Sequence, residues 1–125
     1  NLLFAFELDR RLRANASPVT AVACHPGVAA TELMRHMPGP ARVLMPILSP
    51  LFNAADQGAW PALQAATAPN VLGGDYYGPS KLRGMKGPSV RAKSSDLARD
   101  RETALRLWRL SAELTGVDYG SEEIA

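Results

Sequence analysis

The stretch Val19-Thr20-Ala21-Val22-Ala23-Cys24-His25-Pro26-Gly27-Val28-Ala29-Ala30-Thr31 constrains the fold most. Val19 to Cys24 carry no charge and include β-branched residues, the pattern of a short strand buried on both faces. Pro26-Gly27 ends the strand: Pro offers no N–H to a ladder, and Gly accepts backbone angles that other residues avoid. Thr31 is placed to cap a helix beginning near Glu32. Strand, sharp turn and helix start is the layout by which open α/β sheets hold ligands at the carboxyl ends of their strands. A hydroxyl with free backbone N–H groups there suits a carboxamide or a phosphate. The same residues also suit a plain strand-to-helix connection, so the choice rests on the rest of the chain.

The 125 residues suffice for one domain, and 46% apolar with 21% charged residues is ordinary for a globular protein. A net charge of +2 is mild. The basic residues are mixed with acids, which argues against nucleic acid as a partner. The single cysteine, Cys24, excludes an internal disulfide. Its place in the proposed buried strand suits a packed, inert thiol. His25 and His36 have no accompanying cluster of Cys or carboxylates, so no metal site is expected. No signal peptide is visible, and no run approaches the ~18 apolar residues of a membrane span. The expected compartment is the cytoplasm. The opening apolar run from Leu2 to Phe6 suits a piece of a longer protein.

Periodicity predicts a helix from Asn1 or Leu2 to about Ala14, with Phe4, Leu8 and Leu12 as its apolar stripe. Glu7, Asp9, Arg10, Arg11 and Arg13 are expected on its wet side. A short helix from Glu32 to about Met37 stops at Pro38-Gly39-Pro40. The Pro-interrupted apolar segment that follows reads either as a lid or as a surface helix covering core. Asn53 is placed to cap a helix running to about Thr67, with Pro61 inside it. Gly73 to Pro79 predicts a short aromatic strand, and Lys81 to Lys93 an exposed, mobile loop. A final helix is expected from Ser95 or Asp96 to Thr115, closed by Gly116. Two strands joined by a helical crossover should be parallel, and their open edges imply further sheet outside this chain.

In this order the chain resembles the short-chain dehydrogenase/reductase family, in particular its retinol-dehydrogenase-like and related bacterial members. The residues that carry the resemblance are Leu2-Leu3-Phe4 with Glu7-Leu8, then His25-Pro26-Gly27-Val28-Ala29-Ala30-Thr31-Glu32-Leu33. Gly58-Ala59-Trp60-Pro61 and Gly73-Gly74-Asp75-Tyr76-Tyr77-Gly78-Pro79 follow, and then Leu107-Trp108 with Leu114-Thr115-Gly116. The resemblance implies an α/β fold, the second half of a Rossmann-like doubly wound parallel sheet with helices on both faces. Residues 1–125 would be the C-terminal portion of one dinucleotide-binding domain whose N-terminal half is missing. It implies NAD or NADP as cofactor, with Pro26, Gly27, Val28 and Thr31 on the nicotinamide side. Leu33, Met34 and Met37 would belong to a lid over substrate. The family's catalytic Ser and Tyr-x-x-x-Lys pair would lie outside this chain, and His25 would be structural. Tyr77 and Lys81 have that pair's spacing, but Gly78-Pro79 between them disfavours the helix it requires.

The function this implies is hydride exchange between a nicotinamide and a small carbonyl or alcohol, with this segment alone inactive. An alternative is a non-catalytic helical interaction module. The exposed stripe of the first helix leaves homo-oligomerisation open.

Overall fold

The computed structural model describes residues 1–28 and 52–117. The chain divides into two compact units, Asn1–Ala23 with Leu72–Gly74 and Ser94–Ala125, and Cys24–Val71 with Asp75–Lys93. Among the described residues no helix is long and apolar enough to cross a membrane.

The first unit is built on two helices, α1 (Leu2–Ala14) and α3 (Arg101–Thr115). Their contact is aromatic. Phe4 stacks on Trp108 with ring centroids 5.0 Å apart, and the Arg11 guanidinium lies 4.5 Å from the Trp108 ring centre. Trp108 and Ala104 are buried. On α1, Phe4 and Arg11 are the residues that meet Trp108 of α3. Leu8 and Leu12 are only partly buried, whereas Glu7 and Asp9 are almost fully enclosed, which corrects the expected wet side.

These carboxylates tolerate burial because each has a cation on its own helix. Glu7 binds Arg10 at 2.5 Å and Arg11 at 2.7 Å; Asp9 binds Arg13 at 2.6 Å. Unpaired, either charge would cost several kcal/mol to bury (~5 kcal/mol or more). Arg13 also donates to the Gly73 carbonyl, which ties the Leu72–Gly74 strap to α1. At Gly73 a Cβ would collide with the Asp9 carboxylate, so only glycine lets the strap approach this closely.

The final helical segment is in two pieces. A 3-10 turn, Asp96–Arg99, is capped by Ser95, whose hydroxyl accepts the Ala98 N–H at 3.3 Å. Asp100 then caps α3 through the Thr103 N–H at 2.8 Å. A residue in cap geometry has left the helical region, so Asp100 divides what periodicity reads as one helix. The bond from Thr103 holds the Asp100 carboxyl below its usual range. Gly116, with φ of 67°, ends α3 in the left-handed conformation as expected.

The second unit holds α2 (Ala55–Thr67), β2 (Tyr76–Lys81) and β3 (Lys86–Arg91). With β1 (Ala23–Cys24) these strands form a sheet of order β1-β2-β3. Gly74 N–H donates to Ala21 O, and further along both segments His25 N–H donates to Tyr77 O. The two segments thus advance together, as in a parallel pair. β2 and β3 are antiparallel, with Tyr77 opposite Arg91 and Gly78 opposite Val90. The sheet is mixed, as the α/β class allows.

Three expectations change here. The run Lys81 to Lys93 is not a loop: its second half is β3. Pro88 survives there because among the described residues β3 pairs with β2 alone, and its outer side needs no N–H. The strand Val19–Cys24 contracts to Ala23–Cys24, and Val19 and Cys24 are exposed, because among the described residues the only strand beside β1 is β2. Asn53 does not cap α2. Ala54 holds the cap position, with its N–H on Gln57 Oε1 at 3.2 Å, and Asn53 is buried for another purpose. Pro61 stands inside α2 as expected, with its ring fully buried.

Burial alone would raise the Glu7 carboxyl pKa, but hydrogen bonds and charge from Arg10 and Arg11 outweigh it and hold the value below 4.5. A depressed folded value means stability that is present above 4.5 and lost as pH falls through the folded value. Glu7→Gln should therefore cost about 1–3 kcal/mol at neutral pH. In melts of parent and variant across pH, that gap should close on acidification. A gap that does not change with pH would assign the loss to packing instead of charge.

Candidate functional site

The turn after β1 is the best-defined part of the predicted site. Gly27 has φ of 72°, and a Cβ there would stand 2.5 Å from Met85 O and 2.7 Å from the Pro79 ring. Both the backbone angle and the space thus demand glycine. Gly27 N–H donates to His25 Nδ1 at 3.3 Å. Val28 N–H donates to Met85 O, and Val28 O accepts from Asn53 N–H, each at 2.9 Å. Asn53 Oδ1 in turn accepts the Gly87 N–H at 3.0 Å. One buried amide therefore ties the turn, the start of α2 and β3 into a single knot.

His25 is the wall of this region. Its ring stacks on Tyr76 at 5.3 Å, and it sits where a side chain at Gly78 would be. Gly84 also has no room for a side chain beyond ordinary contact, since its Cβ would lie 3.1 Å from His25 Cε1. Burial, with a smaller contribution from Cys24, pushes the Tyr76 hydroxyl up from 10.0, so it stays a neutral donor at physiological pH. Tyr77 points into the core, 2% exposed, and donates to Asp75 Oδ2 at 2.9 Å. Arg91 binds the same oxygen at 2.9 Å.

Tyr77 and Lys81 both lie on β2, about 13 Å apart along an extended strand. They cannot form the close Tyr–Lys pair of a helix, in keeping with the sequence reading. Among the described residues no cluster of His, Cys, Asp and Glu could hold a metal ion. Thr31, Leu33, Met34 and Met37 lie outside the described residues. Pro26, Gly27 and Val28 are brought together with Asn53, Met85 and Gly87, three residues that sequence reasoning did not assign to the site. Gly78, too, was legible only in principle: a glycine within an aromatic strand marks close approach of another group.

The mixed sheet, the helices and the strand-to-turn passage define an α/β piece of Rossmann-like architecture. Comparison with known proteins carries this further. No family model matches the chain. Mouse retinol dehydrogenase 12 is 37% identical over 121 residues, 95% of this chain and 34% of that protein. Mouse polyprenol dehydrogenase is 37% identical over 124 residues, 97% of this chain and 34% of that protein. A crystal structure of an uncharacterized protein from Mycobacterium paratuberculosis matches with a TM-score of 0.70 at 34% identity. That match covers 95% of this chain and 37% of the other. Over nearly its whole length the chain thus matches members of the short-chain dehydrogenase/reductase family, and it spans about a third of the length of the curated relatives it matches.

Gly78→Ala should displace the His25 ring and cost about 1–3 kcal/mol, as overpacking does. In a His25→Ala background the same change should cost much less. Equal losses in both backgrounds, measured by urea melts, would show that the ring is not what Gly78 accommodates.

Proposed function

We propose that this chain is the C-terminal part of a nicotinamide-dependent oxidoreductase that interconverts a carbonyl and an alcohol. The observation that carries the reading is the Pro26–Gly27 turn: a left-handed glycine at the end of a parallel strand, in a chain whose relatives are named as dehydrogenases. Ligands in open α/β sheets gather at such strand ends. Pro26, Gly27, Val28 and Thr31 are the residues assigned to the cofactor, NAD or NADP, and Leu33, Met34 and Met37 to a substrate lid. The relatives' names, for retinol and polyprenol, favour an apolar alcohol as substrate over the alternative of a helical interaction module.

The cofactor assignment carries one condition. Gly27 N–H is held by His25, Val28 N–H by Met85 and Val28 O by Asn53. As they stand, the described residues of the turn do not fit a carboxamide. One fits only where Met85 O gives up the Val28 N–H.

A native-length polypeptide containing this segment should reduce carbonyls, retinal among them, with NADH or NADPH. The 125-residue chain alone should show no turnover. In the native-length protein Thr31→Ser should be mild, while Thr31→Val should weaken cofactor binding roughly 2- to 13-fold, the worth of one neutral hydrogen bond. A native-length protein that neither binds nor turns over either nicotinamide overturns the reading.

A further inference from the structure

The second unit holds a cavity of about 440 Å³ on the sheet face beside His25. Its polar lining is His25, Tyr76, Ser80, Arg83, Arg91 and Lys93. No Asp or Glu is among the lining residues. The hollow follows from the sequence. Tyr76, Gly78 and Ser80 alternate onto one face of β2. The middle one has no side chain, so the His25 ring takes its place and forms one wall of the cavity.

Charge and donor placement give the cavity a definite chemistry. Arg91 is balanced by Asp75, but Arg83 and Lys93 are exposed and make no ion pair among the described residues. The Tyr76 hydroxyl is neutral and can donate. His25 Nδ1 accepts the Gly27 N–H, so the neutral ring carries its proton on Nε2, the atom nearest the Gly78 position. Arg83 is placed by unusual backbone. Leu82, Arg83 and Gly84 have φ of 50°, 56° and 86°. Left-handed geometry costs a non-glycine residue about 1–2 kcal/mol, and such residues persist where their surroundings hold them. Here the Gly84 and Met85 carbonyls pack against Gly27, which fixes the tip.

We propose that this cavity binds the oxyanion of a small organic molecule, a phosphate or carboxylate attached to a ring-sized body. Guanidinium, ammonium, phenol and hydroxyl converge there as donors, the stacked His25–Tyr76 pair offers a flat apolar wall, and no lining carboxylate opposes the charge. The volume suits a single small ligand. The site stands apart from the oxidoreductase reading, since it needs no nicotinamide and the relatives' named alcohols carry no charge.

The test is titration of the native-length protein with phenyl phosphate, benzoate and neutral benzyl alcohol, followed by amide chemical shifts. The two anions should shift Gly78, Ser80 and Gly84 saturably, and added salt should weaken them. The tighter of the two identifies the oxyanion. Benzyl alcohol should not bind. Arg83→Gln and Lys93→Gln, both exposed and outside the core, should each weaken binding about tenfold with unchanged circular dichroism. Unchanged affinity in both variants overturns the proposal. So does benzyl alcohol binding as well as the anions. Binding of phosphatidylglycerol vesicles without binding of either soluble anion overturns it in favour of a membrane surface. None of these outcomes bears on hydride transfer, so the two proposals fail separately.

Discussion

The second unit depends on a single buried amide. Asn53 is 1% exposed, its N–H is on Val28 O, and its Oδ1 holds the Gly87 N–H. These are backbone groups of segments far apart in sequence. Left unsatisfied in the interior, each would cost about 1–3 kcal/mol. No aliphatic side chain could replace Asn53, because the position needs an acceptor at a fixed reach beside its own donating N–H. The left-handed Gly27 and the close packing of Met85 O against it are possible because this knot holds the turn to β3.

The first unit solves a different problem. Its helix contact is aromatic, and α1 buries ion pairs of its own where apolar residues would be usual. The arrangement works because the partners are local. Glu7 reaches Arg10 and Arg11 at helical spacings, so both ions are held together before tertiary packing begins. The guanidinium of Arg11 also lies over Trp108, and one side chain neutralises a carboxylate and covers an indole.

What could be read from the sequence were features with a local physical signature. Periodicity marked α1 and α3, Gly116 its left-handed end, Pro61 an interior proline, and Pro26-Gly27 the turn. What could not be read depends on partners distant in the chain. Lys86–Arg91 has Gly87 and Pro88 and no alternation, so only pairing with β2 makes it a strand. Asn53 has the composition of a cap, and its burial follows from Val28 and Gly87. The side of α1 that faces inward was misjudged because hydrophobicity cannot show that Trp108 meets Phe4 and Arg11. Around the turn, Gly27 was recognisable from its type, whereas Asn53, Met85 and Gly78 acquire their place only through the fold.

The Asn53 knot also has a kinetic side. The amide hydrogens of Asn53 and Gly87 both donate within it, to Val28 O and to Asn53 Oδ1. When Asn53 leaves its seat both are released together. They therefore form one small cooperative opening unit, and their hydrogen exchange should share a single protection factor although they lie in different segments. The surface around Gly27 would then change by rare, all-or-none events, with no continuum of partly loosened turns between them.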